Sequence, residues 1–397
     1  VFALGRGAVS TAISESKAKY AVAAWLEELA RVPTTMKGAD GPRRALEHAD
    51  VLASEYVNRR RAHFRILLRQ IVFTVALQAV AGSLVLGLGG WLVLNGKLTL
   101  GQLVAAEMIV AVVVGSYAKL GKHMESFYDL LAAADKVGHL LDVPMERATG
   151  ELLPEGDGVA VAVKRVAVSL VDDEPGSPAG DAFDFTVRAG EMVALLGRPG
   201  GGKSLLMDAL YGARDPATGH ATLDGIDVRA LQPSELRRHV TLLREVEILS
   251  GSINENVHLH RDGVGGVSVR RALRQVGLLD ELTELPRALE TTIQPHGRPL
   301  STSQCVRLMF ARAIASPPRL LLIDGLLDRL SDDTLPVVVR AVRSLLPQTT
   351  VIVVTGRDDV RQFCDRVVSV DSNPTTSDDQ LKDWEPIDGR GLAHDTA

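Results

Sequence analysis

The most constraining feature of the chain is a run of eight residues. Gly197-Arg198-Pro199-Gly200-Gly201-Gly202-Lys203-Ser204 stands between an apolar stretch, EMVALLG, and an apolar helix-forming stretch, LLMDAL. The spacing G-x-x-x-x-G-K-S, with a strand before it and a helix after it, is that of a phosphate cradle. Its glycines let successive backbone N–H groups turn inward around phosphate oxygens, at the positive end of the helix that follows. The pattern predicts that Lys203 reaches the terminal phosphates of a nucleotide and that the Ser204 hydroxyl holds Mg²⁺. A second apolar strand, RLLLIDG at 319–325, ends in Asp324, the carboxylate expected to bind or orient that ion. An aspartate at an ordinary strand end is the plainer alternative.

The rest of the chain sets the surroundings of that cradle. Its 397 residues are enough for two or three domains. Forty-four Lys and Arg stand against 49 Asp and Glu, a net charge of −5, which argues against a nucleic-acid binder with a large basic face. Cys305 and Cys364 are the only cysteines, so a disulfide scaffold and a cysteine zinc site are both excluded. His258 and His260 are two apart with no third ligand near, which argues against a metal there. Mean hydropathy is +0.11, high for a wholly soluble chain, and points to a membrane portion joined to a soluble one.

Residues 11–31 read as a helix ending before Val32-Pro33. Gly41-Pro42 opens a second helical stretch that runs without a breaker into Ile71–Leu94, where Gln78 is the only strongly polar side chain. Those residues extend ~36 Å, enough to cross a bilayer. A second apolar segment, Leu103–Leu120, contains Glu107 and is barely long enough to span. Arg59, Arg60, Arg61, Arg65 and Arg69 precede the first run, Lys119 and Lys122 follow the second, and Lys97 alone marks the hairpin. The positive-inside bias therefore puts both outer flanks in the cytoplasm. Two buried helices of a soluble domain are the competing interpretation. A carboxylate inside a span is a functional candidate by default, though Glu107 lies close enough to the interface to snorkel, and Gln78 suits a helix–helix hydrogen bond.

Residues 146–158, ERATGELLPEGDG, read as a linker. Beyond it VAVAVKRVAV, EMVALLG, HVTLL, RLLLID and TVIVVT alternate with helical stretches, which predicts a largely parallel α/β sheet. The divisions expected are 1–149 (spans about 71–94 and 103–120), 150–372, and an acidic, disordered tail at 373–397.

Further segments make a family resemblance specific. DGIDVRALQPSELRRHV at 224–240, SGSINENV at 250–257 and GRPLSTSQCVRLMFARAI at 297–314 stand in that order between the cradle and RLLLIDG. Together they resemble the nucleotide-binding domain of ATP-binding cassette (ABC) transporters. LSTSQ stands where that family has its LSGGQ signature, and Arg307 and ARA at 311–313 fit as well. The membrane part, with GQLVAAEMIV and KLGKHMESFYDLL, resembles the last two helices of an exporter-type transmembrane domain. The fold so implied is an α/β P-loop NTPase cassette preceded by a partial all-α transmembrane domain. Such exporters have six helices before the cassette, so the chain, which begins at Val1, reads as a fragment or a truncated product. The resemblance implies ATP and Mg²⁺ as cofactors, held by Gly197, Arg198, Pro199, Gly200, Gly201, Gly202, Lys203, Ser204, Leu205 and Asp324, with Ser204 and Asp324 on the metal. It implies that two cassettes sandwich two ATP molecules head to tail, so that Ser301 serves the partner's nucleotide. It also implies a multi-pass protein of the plasma (inner) membrane with its cassette on the cytoplasmic side and the lipid bilayer and a second ABC subunit as partners.

The family pattern is altered at five places, one of them a pair of residues. Gly325 replaces the glutamate that polarises the attacking water, and a lost general base costs about 10²–10⁴ in rate. Gly356 stands for the histidine that contacts the γ-phosphate. Arg244 replaces the glutamine that ties metal and water to the membrane domain; an arginine can touch a phosphate but cannot coordinate Mg²⁺. Thr302 and Ser303 replace the two signature glycines, where their Cβ atoms would crowd a close approach. Leu170 takes the approximate place of an aromatic that stacks on adenine, worth about 1–3 kcal/mol. Asp328, Asp332 and Asp333 fall in the region of the family's dimer-contact loop. The reading that follows is an exporter subunit that binds ATP, hydrolyses it weakly or only with a partner, and favours a heterodimer. A non-transporting regulatory or scaffold subunit, or a decayed copy, is the alternative. The transported substrate is not legible.

Overall fold

The computed structural model describes residues 7–168, 182–294 and 297–370, with the side chains of 117–125 outside that description. Leu170 and the tail from 371 onward lie outside the described residues. The chain divides into two compact units, Val1–Met145 and Glu146–Ala397.

The first unit is helical: α1 (Ala8–Arg31), α2 (Pro33–Met36), α3 (Gly41–Leu94) and α4 (Leu100–Leu141). Helix α1 stops where expected, because the residue before a proline is driven out of the helical region, and Val32 adopts φ −122°, ψ 52°. The charged stretch after Gly41 and the apolar run to Leu94 form one unbroken helix of 54 residues, about 80 Å long. Helix α4 opens with a capping box, in which Thr99 Oγ1 accepts from the Gln102 amide while Gln102 Oε1 accepts from the Thr99 amide. The helices meet at a buried patch in which Ala8, Ala12 and Ala132 leave room for Leu67 and Tyr128. Polar contacts beside that patch join Thr11 to His63 at 3.0 Å, Gln70 to Tyr128 at 3.3 Å and Arg60 to Glu15 at 2.6 Å.

Helix α3 is the one described helix long and apolar enough to cross a membrane, and its apolar window is entirely uncovered. A core helix of a soluble protein would bury such a face. The expected second span lies in α4, whose described apolar part, Leu100–Ser116, is shorter than a full crossing. Gln78 is exposed. Glu107 is half-buried facing Gly82, with its Oε2 unpartnered.

The second unit holds strands β1 (Val161–Ala167), β2 (Phe183–Val187), β3 (Met192–Leu196), β4 (Thr218–Leu223), β5 (Ile226–Asp227), β6 (Val240–Leu243), β7 (Gly251–Ser252), β8 (Thr292–Ile293), β9 (Leu320–Asp324), β10 (Thr350–Val354) and β11 (Arg366–Ser369). Its helices are α5 (Lys203–Leu210), α6 (Pro233–His239), α7 (Ile253–His258), α8 (Gly266–Gln275), α9 (Leu279–Thr283), α10 (Thr302–Ala315), α11 (Leu335–Arg343) and α12 (Asp358–Arg361). A five-stranded sheet, β11-β3-β10-β9-β6, is parallel throughout. A second sheet, β2-β1-β4-β5, is antiparallel, and β7 pairs with β8 apart from both. VAVAVKRVAV therefore belongs to the antiparallel sheet and not to the parallel one. Its alternating exposure, half-solvated on one face, is what an antiparallel strand tolerates and a sandwiched parallel strand does not.

The parallel sheet is buried on both faces, so its strands read as continuous apolar runs. Met192 and Ala194 point into one core with α7, α8, α10 and α11, while Val193 and Leu195 point into the other with α5 and the antiparallel sheet. That two-residue alternation follows from strand geometry. The stretch read as a linker is fastened to this unit. Leu153 is buried, Glu151 exchanges backbone hydrogen bonds with Ala230 and Gln232, and Arg237 forks onto both oxygens of Glu146.

Helix α10 is held by a buried cation. Arg307 donates to both carboxylate oxygens of Glu281 at 2.7 and 2.9 Å and to the Gly277 carbonyl at 2.7 Å. Hydrogen bonds from Arg307 hold the Glu281 carboxyl below its ordinary pKa. A depressed carboxylate stabilises fully above its unfolded pKa, about 4.3, and the contribution is lost as pH falls through the lower folded value. Arg307→Ala is expected to destabilise the α/β unit by about 1.5–3 kcal/mol in chemical denaturation, and Glu281→Gln to flatten part of its acid limb. An unchanged midpoint in both variants would remove this pair from the account.

Candidate nucleotide site

The cradle forms because β3 ends inside the parallel sheet, between β11 and β10, and the chain turns directly into α5. Gly200 and Gly202 make that turn with φ +78° and +82°, a left-handed backbone that a Cβ disfavours. The Gly201 amide donates to the Arg198 carbonyl at 3.1 Å, and Gly202 caps α5. Lys203 lies across the loop, its Nζ donating to the Gly197 and Arg198 carbonyls at 2.6 and 2.8 Å. Ser204 is exposed at the first turn, and Leu205 is half-buried beside it. The eight cradle residues are thus assembled as a single strand–loop–helix corner.

The carboxyl ends of the neighbouring strands bring the other predicted residues together. Leu243 on β6 lies opposite Ile323 on β9, and Val354 on β10 opposite Asp324. One step further along β6, Arg244 falls beside Asp324. Its Nε donates to Asp324 Oδ2 at 2.7 Å, its Nη1 to Asp208 Oδ1 at 2.8 Å and its Nη2 to the Ser204 carbonyl at 2.6 Å. Burial alone would lower the pKa of this guanidinium, but its hydrogen bonds to Asp324 and Asp208 hold it above the ordinary value. Asp208 was not picked out from the sequence. The available signal was its place four residues after Ser204, on the same face of α5.

These contacts bear on Mg²⁺. The ion takes oxygen ligands in an octahedron at about 2.0–2.1 Å. Here the Asp324 side chain is only 8% exposed, and its Oδ2 is engaged by a nitrogen donor. The residues as arranged do not fit the ion, because the position beside Asp324 already carries a fixed positive charge.

Gly325, directly after Asp324, has φ +68°, and its amide donates to the Val354 carbonyl at 2.9 Å. No atom lies within 4 Å of where its Cβ would be, so conformation and not space restricts a side chain there. Gly356 follows β10 and donates to Asp328 Oδ2 at 2.9 Å, while Thr355 Oγ1 donates to Asp328 Oδ1. Asp328 thus fastens the end of β10. Asp332 pairs with Arg357 at 2.5 Å, and Asp333 is exposed. Ser301 caps α10 in a capping box with Gln304, so its Oγ accepts from the Gln304 amide; Thr302 begins the helix in solvent and Ser303 is half-exposed. His258 and His260 meet edge to face at 4.8 Å. Among the described residues, no group of three or more His, Cys, Asp or Glu side chains is arranged to hold a metal ion.

With this geometry in hand, likenesses to known proteins are informative. Residues 181–326 match the ABC transporter family. The chain is 28% identical over 285 residues to the alpha-hemolysin translocation ATP-binding protein of Escherichia coli, covering 71% of this chain and 40% of that protein. It is 29% identical, over the same shares, to an exotoxin translocation ATP-binding protein of Pasteurella aerogenes. The chain thus spans about two fifths of the length of these relatives. Its fold is similar to that of a bacterial Atm1-family ABC exporter solved with ATP bound, with TM-score 0.80 and 21% identity over 93% of this chain and 64% of that one.

The backbone at Gly325 and Gly356 sets different costs for introducing a side chain at the two positions. Gly325→Glu is expected to lose about 1–2 kcal/mol to left-handed strain. Gly356→His, whose Cβ would lie 3.7 Å from Asp328 Oδ2, is expected to stay within about 0.5 kcal/mol of wild type. Thermal unfolding of the two variants checks the contrast, and equal losses would contradict it.

Proposed function

We propose that this chain, an ABC-exporter-type protein with a membrane portion joined to a nucleotide-binding domain, binds ATP at 197–204 to drive a conformational cycle and hydrolyses it poorly on its own. The observation that carries the proposal is the contrast within one site. The cradle is assembled with its lysine in the loop, while the position after Asp324 is a glycine without any group to polarise water.

Each part of the reading has a chemical reason. Phosphate binding asks for free backbone amides, a helix N-terminus and a lysine, and the corner at 197–205 brings the last two together in a glycine-rich loop. Hydrolysis asks in addition for a base near the attacking water, and neither Gly325 nor Gly356 has a side chain to supply one. Nucleotide then acts by differential affinity for two conformations, which needs binding but no fast turnover.

The same logic favours a second, different subunit. In a head-to-tail pair Ser301 would cap the partner's nucleotide, with Thr302 and Ser303 in place of glycines, so two copies of this chain would leave both composite sites impaired. A competent partner cassette would supply one cradle with its glutamate in place. Ser301, Thr302 and Ser303 of this chain would still face that partner's nucleotide, so this chain would weaken both composite sites and leave the partner's base as the one hydrolytic group. Helix α3 supports a membrane location, and the arginines before its apolar run support a cytoplasmic cassette. The further steps, a multi-pass plasma (inner) membrane arrangement and transport of a solute across it, belong to this proposal.

The test uses the full chain in detergent micelles. Labelled ATP is expected to bind saturably and Lys203→Ala to weaken binding by about tenfold or more. Phosphate release is expected ~10²–10⁴ below that of a cassette with its glutamate in place. Rapid turnover by this chain alone would overturn the reading.

A further inference from the structure

The cluster around Arg244 goes beyond the loss of a catalytic base. Three of its donors are committed: to the carboxylate that ends β9, to a carboxylate on α5, and to the carbonyl of the residue whose hydroxyl was expected to hold the metal. The arrangement has the marks of a built site. Asp324 is nearly buried, Asp208 and Arg244 are largely covered, and the parallel register of β6 on β9 fixes the arginine where it stands.

We infer that the Arg244 guanidinium is a tethered cation in the place of the divalent ion, so that this site takes a nucleoside triphosphate free of Mg²⁺. The inference rests on the nucleotide reading above and deepens it by naming the form of the ligand.

Charge and geometry both lead there. Two carboxylates and a neutral amide at position 244 would leave a double negative charge to attract a divalent ion. With arginine the cluster keeps one net negative charge, and an arriving cation meets a like charge that cannot be deprotonated. Nor does Arg244 have a lone pair to offer as a ligand. Asp324 could receive the ion only by giving up its hydrogen bond to Arg244, which would leave a buried guanidinium without that partner. Arginine is in turn suited to phosphate: its planar fork stays charged at every relevant pH and pairs with two oxygens at once. Its bond to the Ser204 carbonyl places it against the first turn of α5, the turn that follows the cradle.

The test is equilibrium binding of labelled ATP to the full chain in micelles, with excess Mg²⁺ and with EDTA, beside Arg244→Gln and Arg244→Lys. For the wild type the two dissociation constants are expected to agree within about threefold, and for Arg244→Gln removal of the metal is expected to weaken binding by about tenfold or more. Arg244→Lys, which keeps the charge, is expected to stay metal-independent, a result that a merely structural arginine would not produce. Mn²⁺ electron paramagnetic resonance gives a second readout: with ATP present, Mn²⁺ is expected to be retained by Arg244→Gln and not by wild type. Wild-type binding that collapses in EDTA would overturn this inference and leave the nucleotide reading intact. Absence of saturable binding in both buffers would overturn both. Should Arg244→Gln fail to fold, the wild-type comparison decides alone.

Discussion

The contact on which the site depends is the ion pair between Arg244 and Asp324. It exists because β6 and β9 run parallel in register, so that the residues leaving their carboxyl ends lie side by side. Ligands of open parallel sheets collect at those ends, since the loops there converge while the strands stay rigid. Here the same geometry that gathers cradle, Asp324 and Asp208 also seats a guanidinium among them. The register of β6 on β9 thus decides what charge stands beside the cradle.

The surrounding fold supports that register from two sides. Two apolar clusters sandwich the parallel sheet, and the strands that matter, β3, β9 and β10, are buried almost throughout. The termini of the strands are then tied by polar contacts: Gly325 to Val354 across the strand ends, Asp328 to Thr355 and Gly356, Arg357 to Asp332 and Asp359. The hydrogen-bonded loop after Asp324 holds Gly325 in a left-handed conformation, so a side chain introduced there would meet backbone strain.

Much of this was legible in the sequence, and the limits are physical. The cradle could be read because its geometry depends on local residues alone: glycines for left-handed turns, then a lysine, then a helix. Apolar runs identified β3, β6, β9 and β10 because a doubly covered parallel strand has no polar face. The antiparallel β2, β4 and β5 escaped because they are half-polar, and an apolar run such as β1 does not tell which sheet it will join. The unbroken helix from Gly41 to Leu94 was legible from the lack of a breaker. The docking of 146–158 was not, because a Gly- and Pro-bearing composition describes backbone freedom and says nothing about long-range partners such as Arg237. Arg244 looked like the loss of an amide. Its three acceptors lie 36, 40 and 80 residues away in sequence, and only the sheet brings them together.

The central claim is that the loop between β3 and α5 grips a triphosphate and leaves it whole. A single-turnover experiment addresses it most directly: the full chain is loaded with γ-labelled ATP, freed of excess nucleotide, and sampled over time. The account predicts that the label stays protein-bound as intact ATP and leaves, when it leaves, as ATP. Conversion of the bound label to inorganic phosphate within seconds, with no second subunit present, would contradict it.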